Sequence, residues 1–172
     1  SSGKQGYEIA KSLAKFGIKT TLVSGPTELR TPENVEIIKV ETAKQMLSEV
    51  KKLLPVNIAV CSAAVSDYSL ENYSKEKIKK ENNDKLVLRL KKNPDILEYL
   101  ANHNSLRPKL VVGFAAETHE IIKRAKEKLS KKHCDWIIAN NVSNSSIGFN
   151  SDINEVSIIY KNNKIEKLDR NS

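Results

Sequence analysis

An acidic residue follows the most apolar segment of the sequence. Residues 57–65 are almost continuously apolar, which is typical of a parallel strand buried on both faces, and Asp67 and Tyr68 come directly after them. Ligands of open α/β sheets bind beyond the carboxyl ends of the strands, where a carboxylate can hold a sugar, a base or a phosphate-bound Mg²⁺. The alternative is that Asp67 only begins a turn.

Two basic segments carry all of the excess positive charge. The formal net charge is +8, and residues 75–92 and 123–132 each contribute a net +5. The first segment contains Lys77, whose long side chain is suited to neutralising charge that develops on a phosphate. In the second segment, three cations recur at every fourth position: Arg124, Lys128 and Lys132. This spacing places them on one helix face, where an anion would relieve their mutual repulsion. Solvated lysine surfaces are the alternative for both segments.

The beginning of the chain also has the composition of an anion site. Ser1, Ser2, Gly3 and Lys4 combine two hydroxyls, a flexible backbone and a cation at a predicted helix start, where free N–H groups attract anions. The spacing matches neither of the standard glycine-rich phosphate loops. A serine-capped surface helix is therefore the alternative.

The sequence gives little support for a metal site or a membrane-spanning segment. The two cysteines, Cys61 and Cys134, and the three histidines lack metal-ligand spacing, so we predict no protein-bound structural metal. Isolated cysteines favour a reducing compartment, and no signal peptide or long apolar run is evident, so we expect a cytoplasmic protein that does not enter a membrane. A chain of 172 residues is long enough for one domain, and we assign residues 1–172 to it.

The residues above are spaced along alternating helical and strand-like segments. Helices are predicted at 4–16, from the capping box of Thr42 and Gln45 onward, from Asn93-Pro94-Asp95 onward with Pro94 in the first turn, and at about 119–132. Strands are predicted at 18–23, 35–40, 57–65, 110–114 and 136–139, with a closing hairpin of 155–160 and 165–168. The alternation predicts an α/β fold, a Rossmann-like three-layer sandwich with a mostly parallel sheet and a C-terminal antiparallel hairpin.

Two irregularities accompany this pattern. Residues 66–92 are polar and rich in lysine, which predicts a flap over the carboxyl edge of the sheet. The sequence also begins with a helix, whereas a doubly wound sheet normally feeds its first helix from a central strand. We therefore expect that further residues precede Ser1 in the natural polypeptide.

Seven segments together resemble one enzyme family, the bacterial phosphopantothenate–cysteine ligases, which form the synthetase part of bifunctional coenzyme A biosynthesis proteins. The segments are 1–6 (SSGKQG), 22–26 (LVSGP), 63–68 (AAVSDY), 77–80 (KIKK), 92–97 (KNPDIL), 112–118 (VGFAAET) and 148–154 (GFNSDIN). They occur in the family's order and span nearly the whole chain.

The resemblance implies a ligase that activates the carboxylate of 4′-phosphopantothenate with CTP and Mg²⁺ as an acyl-cytidylate, which the amine of L-cysteine then attacks. It implies CTP contacts at Ala63, Asp67, Lys77, Asn93, Pro94, Asp95, Ile96, Phe114, Lys128 and Lys132. We add Ser1, Ser2 and Gly3 as anion-binding residues and predict that Lys77 acts in the chemical step. The family also implies a homodimer and fusion to, or association with, a flavin-dependent decarboxylase.

The chain departs from the family at two places, and two other functions remain open. The family's catalytic asparagine lies before the serine–serine–glycine–lysine segment and is absent here, and Asn141 stands where the family has aspartate. One alternative is thus a catalytically impaired module that binds CTP or phosphopantothenate. Nucleic-acid binding rests only on the basic charge, and an aromatic content of 5% provides few side chains for base stacking, so we predict no nucleic-acid partner.

Overall fold

The structure is a computed structural model that describes residues 2–72, 87–141 and 156–168. The helices are α1 (Lys4–Lys15), α2 (Ala43–Leu53), α3 (Ile96–Ala101) and α4 (Ile121–Lys132). The strands are β1 (Thr20–Ser24), β2 (Val35–Lys39), β3 (Ile58–Cys61), β4 (Tyr68–Leu70), β5 (Leu90–Lys92), β6 (Leu110–Glu117), β7 (Trp136–Asn141), β8 (Val156–Tyr160) and β9 (Ile165–Leu168). No helix of the described ranges is long and apolar enough to cross a membrane.

The largest sheet has five strands in the order β3-β6-β7-β8-β9. Strands β3, β6 and β7 run parallel, whereas β8 and β9 complete the sheet as an antiparallel hairpin. Strands β1 and β2 form a separate parallel pair. The predicted α/β class, the parallel strands and the C-terminal hairpin are therefore confirmed. In the described residues, however, the strands are divided among three sheets instead of forming one continuous sheet.

The main core lies between the five-stranded sheet and helices α3 and α4, and it extends to Met46 of α2, which packs against β1. Val111, Ile137 and Ile159 are fully buried at its centre, together with Leu100 of α3 and Ala125 of α4. These strand residues alternate along β6, β7 and β8, so one face of the sheet is apolar and covered. The opposite face contributes to an open cleft.

Two of the helices begin at side chains that accept hydrogen bonds from the first turn. The capping box of α2 forms as expected: Thr42 Oγ1 accepts a hydrogen bond from Gln45 N, and Gln45 Oε1 accepts one from Thr42 N. Asp95 caps α3 by accepting a hydrogen bond from Glu98 N at 2.8 Å. The capping box was predicted from residue type and spacing, whereas the start of α3 was placed too early, because Pro94 was expected in its first turn and instead lies before the Asp95 cap.

The predicted strand over 57–65 was wrong in both length and burial. Strand β3 ends at Cys61, and the chain then leaves the sheet, so that Ala63 is exposed. β3 pairs only with β6 in the described part of the chain, and Ile58 retains 43% of its accessible surface. An apolar run shows a tendency to be buried, but the position of a strand within its sheet decides whether both faces are covered.

The ends of the predicted flap form a short antiparallel ribbon. In this ribbon β4 pairs with β5, so that Tyr68 lies opposite Lys92 and Leu70 opposite Leu90. Residues 73–86, which contain the lysine-rich part of the flap, lie outside the described residues. The ribbon still connects the segment after β3 to the segment before α3.

Candidate active site

The segments after β3 and before α3 are held side by side by hydrogen bonds. Asn93 N donates to Asp67 O at 2.8 Å, and Asn93 Nδ2 donates to Ser66 O at 2.9 Å. The backbones of two segments that were predicted to bind one ligand therefore meet beyond the carboxyl end of β3. This is the edge of a parallel sheet at which ligands bind.

A large open cleft includes this edge, extends over α1, β1 and the whole of β3, and contains most of the predicted site residues. Its lining contains Ser2, Gly3, Ala63, Asp67, Asn93, Pro94, Asp95, Ile96, Phe114, Lys128 and Lys132. Lys77 and Ser1 lie outside the described residues, so their positions stay predictions. Asn141 is the last residue of β7, and its side chain also lies outside the described part.

Lys132 connects α4 to the start of α3. Its Nζ lies 2.6 Å from Asp95 Oδ2 and 2.8 Å from Glu98 Oε2, and only 16% of its side chain is exposed. Burial by itself would raise the pKa of Asp95, but hydrogen bonds from Lys132 and from the Glu98 backbone outweigh burial and lower that pKa. Burial would likewise lower the pKa of Lys132, and its hydrogen bonds to both carboxylates raise it instead. Lys132 and Asp95 are therefore an ionised pair at neutral pH.

Lys128 has a neutral protein partner. Its Nζ donates to Phe114 O in the middle of β6 at 2.6 Å. A carbonyl oxygen carries no full negative charge, and the Asp95 carboxylate acts on Lys128 from a greater distance, whereas Lys132 is bonded to two carboxylates. Lys128 is therefore the better placed of the two lysines to attract a phosphate.

Arg124 does not join the predicted basic stripe at the cleft. Its guanidinium lies 3.6 Å from Glu117 Oε2 and 2.6 Å from His119 Nε2, both near the start of α4. Helical spacing placed Arg124, Lys128 and Lys132 on one face, but each finds a different partner. The expected repulsion among three neighbouring cations is thereby relieved within the protein.

The start of α1 is shaped by a glycine. Gly3 is the N-cap residue with φ of +76°, and no side chain caps the helix. A residue with a Cβ is strained in this left-handed conformation, so glycine is required by the backbone itself. Ser2 Oγ accepts a hydrogen bond from Lys4 N at 3.4 Å, which differs from the expected serine cap. Ser2 O also accepts a hydrogen bond from Thr27 Oγ1, which ties the start of α1 to the loop after β1.

The cysteines do not provide a nucleophile. Burial raises the pKa of Cys61 to about 12 and that of Cys134 to about 11. Both thiols stay protonated at neutral pH, and a thiolate is the reactive form. In the described ranges, no cluster of three or more histidine, cysteine, aspartate or glutamate side chains could hold a metal ion.

Two residues of the cleft region were missed from the sequence. Glu98 completes the contacts of Lys132, and its position near the start of a predicted helix was the available signal. Asn140 also lines the cleft, and its Oδ1 is buried without a hydrogen-bond partner among the described residues. Its signal was a polar residue at the end of a strand that is otherwise apolar.

Comparison with known proteins identifies the family of this chain. All 172 residues match the model of the DNA/pantothenate metabolism flavoprotein C-terminal domain. The chain is 40% identical to the coenzyme A biosynthesis bifunctional protein CoaBC of Borreliella burgdorferi, over 94% of this chain and 40% of that protein. It is 41% identical to the CoaBC of Escherichia coli K12, over 99% of this chain and 43% of that protein.

A solved structure agrees with these sequence matches. The crystal structure of the C-terminal domain of a CoaBC protein superposes with a TM-score of 0.80 at 31% identity, covering 100% of this chain and 76% of that one. The chain thus spans about two fifths of the length of the curated relatives it matches. With the whole sequence matched and the fold shared, the chain belongs to the family of DNA/pantothenate metabolism flavoprotein C-terminal domains.

Proposed function

We propose that this chain forms the synthetase site that joins 4′-phosphopantothenate to L-cysteine, with CTP as the activating nucleotide. The family match and the names of the relatives, which are coenzyme A biosynthesis proteins, support the reaction class. The observation that carries the proposal is the pair of hydrogen bonds from Asn93 to the segment that contains Asp67. This contact unites two of the segments on which the family resemblance rests.

The proposed reaction has two steps. A carboxylate is a poor acyl donor, so its oxygen first attacks the α-phosphorus of CTP, forming an acyl-cytidylate and releasing pyrophosphate. The amine of cysteine then attacks the acyl carbon, an amide bond forms, and CMP leaves while the amine loses a proton. These two steps need a site that holds a triphosphate and excludes water from the acyl-cytidylate, which is a reactive mixed anhydride.

The described side chains suit the binding part of this reaction. Lys128 offers a positive charge and Asp67 is exposed at the cleft. Phe114 adds an aromatic side chain to the lining of the same cleft. Mg²⁺ is proposed only as the ion that accompanies the triphosphate, since the described residues lack a cluster of three metal-ligating side chains. When bound, the ion would offset phosphate charge.

Lys77 is proposed to act in the chemical step. A lysine on a flap suits a contact made chiefly in the transition state, and losing such a contact lowers kcat. We expect Lys77→Gln to lower kcat by about 100-fold.

Lys128→Gln should mainly raise the KM for CTP. Lys128 lies on a fixed helix, so it would contact the triphosphate equally in the ground state and the transition state. A Lys77 variant with normal kcat and weaker CTP binding would contradict the catalytic role.

The test of the function is CTP-dependent product formation. The natural full-length polypeptide and this chain are each incubated with phosphopantothenate, cysteine, Mg²⁺ and either CTP or ATP. Mass spectrometry should detect phosphopantothenoylcysteine with CTP in preference to ATP, together with equimolar pyrophosphate. Binding of CTP without pyrophosphate release from either polypeptide would instead support a non-catalytic binding module. Equal product formation with ATP would contradict the assignment of the nucleotide.

A homodimer is proposed as the working form. The β4–β5 ribbon and the residues just before β5 expose several large apolar side chains, which a second copy would cover: Tyr68, Leu70, Val87, Leu88 and Leu90. Sedimentation at micromolar concentration should give about twice the 19.3 kDa mass of the chain. A monomer at this concentration would contradict the proposal.

We also propose a cytoplasmic location. A flavin-dependent decarboxylase is proposed as fusion partner, and the bifunctional relatives support this second proposal.

A further inference from the structure

Asn140 carries a buried acceptor that the protein does not satisfy. Its Oδ1 is shielded from solvent and has no hydrogen-bond donor among the described residues. An unsatisfied buried acceptor costs the protein stability, and native structures contain few of them. Such an atom therefore calls for an explanation, and one explanation is a ligand that supplies the missing donor.

The neighbours of Asn140 in the sheet cannot supply this donor with their side chains. Asn140 pairs with Ala116 of β6 and with Val156 of β8, and both side chains are apolar. The residue two positions earlier on the same face is Ile138, which is also apolar. The backbone N–H groups of this part of the sheet serve the ladders between strands.

The position of Asn140 is suited to ligand contact. It lies at the carboxyl end of β7, in a sheet whose parallel strands open their carboxyl ends to the cleft, and the residue lines that cleft. Phe114 pairs with Ile138 across β6 and β7, so its ring and the Asn140 amide occupy the same sheet face. Asn140 as a whole is half-buried, so a ligand that enters the cleft beside it can approach the shielded amide oxygen.

The missing donor restricts the chemistry of the ligand group. Phosphate oxygens are acceptors, so the triphosphate cannot satisfy Oδ1. A planar heteroaromatic base can stack on an aromatic ring such as that of Phe114, and the 4-amino group of cytosine is a donor at the edge of such a base. The 4-oxo group of uracil is an acceptor at the same place.

We propose that Asn140 is a specificity residue that accepts a hydrogen bond from the exocyclic amine of a bound cytosine base. This proposal rests on the proposed use of CTP. Under this proposal, Asn140 makes the site prefer a nucleotide with a 4-amino-pyrimidine base over one with a 4-oxo-pyrimidine base. Phe114 cannot make this distinction, because its side chain has no polar group.

The experiment compares CTP and UTP binding by calorimetry in the full-length protein. Asn140→Leu has nearly the same size but no acceptor, and we expect it to weaken CTP binding about tenfold while leaving UTP binding nearly unchanged. Asn140→Asp keeps an acceptor and loses the donor, so it should retain the preference for CTP. An exposed asparagine outside the cleft serves as the matched control, and Asn104→Leu should bind both nucleotides like the parent protein.

A stability measurement separates ligand recognition from a structural role. Removing an unsatisfied buried acceptor should raise the Tm of ligand-free Asn140→Leu by about 2–4 °C. A lowered Tm would mean that the amide supports the fold, and an unchanged ratio of CTP to UTP affinity in Asn140→Leu would mean that it does not read the base. Either result overturns the inference. If the parent protein binds no CTP, the proposed function itself fails.

Discussion

Two ion-paired clusters hold α3 and α4 together, and they are built differently. In the Arg107 cluster, which consists of Arg107 and Asp135, the guanidinium donates to both carboxylate oxygens at 3.0 Å and to the carbonyl oxygens of Ala101, Pro108 and His133. Asp135 Oδ2 also accepts a hydrogen bond from Val111 N at 2.8 Å. In the Lys132 cluster, one ammonium group lies between the carboxylates of Asp95 and Glu98.

The two clusters differ in the groups that bind the cation and in their position relative to the cleft. Arg107 is fixed mainly by backbone carbonyls, whose positions the fold determines, and neither Arg107 nor Asp135 lines the cleft. Lys132 is fixed by side chains, and Lys132 and Asp95 both line the cleft. Side-chain contacts can rearrange when a charged ligand arrives, whereas backbone contacts resist it. Similar ion-pair chemistry is therefore held mainly by the backbone in one cluster and by side chains at the cleft in the other.

The largest expected effect comes from breaking the Arg107 cluster. Asp135→Ala leaves a partly buried guanidinium without its carboxylate and removes the acceptor of Val111 N, so we expect a loss of about 3 kcal/mol of unfolding free energy. Urea denaturation measures this loss. Asp135→Asn keeps an acceptor for Val111 N and should lose less. Equal losses in the two variants would contradict the importance of the backbone contact.

An intermediate effect is expected where α3 packs on the sheet between the clusters. A Cβ at Gly113 would lie 2.6 Å from Leu97 Cδ2 and 2.8 Å from Ile137 Cδ1, both in the core. We expect Gly113→Ala to cost about 2 kcal/mol by overpacking. The matched control is Gly25→Ala, because Gly25 has no atom within 4 Å of an added Cβ. Should both variants be equally stable, α3 would be less tightly packed than the structure indicates.

A smaller stability effect is expected from the Lys132 cluster. We expect Lys132→Gln to lose only about 1 kcal/mol, because solvent screens a cluster in which half of the Glu98 side chain is exposed. CTP binding should weaken more clearly, since the start of α3 loses its connection to α4. A double-mutant cycle with Asp95→Asn measures the coupling. A stability loss as large as that of Asp135→Ala would remove the distinction between the clusters.

The smallest expected effect is a pH dependence of the Lys132 cluster. Because the folded protein lowers the pKa of Asp95, the pair stabilises the fold above the ordinary aspartate pKa of about 3.9 and loses this contribution as pH falls through the folded pKa. Urea denaturation of the parent protein and of Asp95→Asn should therefore differ by a constant amount between about pH 5 and 9. The difference should shrink below pH 4. A difference that persists there would indicate that the cap, and not the charge, is what the variant loses.

The sequence by itself determined the features that depend on neighbouring residues. The capping box of Thr42 and Gln45 and the alternation of helices with strands both follow from patterns within a few positions. The ordered family segments added the predicted nucleotide-binding residues, most of which line one cleft.

Only the tertiary structure decided which distant groups meet. Lys132 bonds to Asp95 and Glu98 more than thirty positions away, Ile58 is exposed because β3 has one partner in the described chain, and Asn140 lacks a donor because its cross-strand neighbours are apolar. Spacing fixes the helix face or strand face on which a side chain lies. The partner opposite that face depends on how separate elements pack, and short-range sequence patterns do not contain this information.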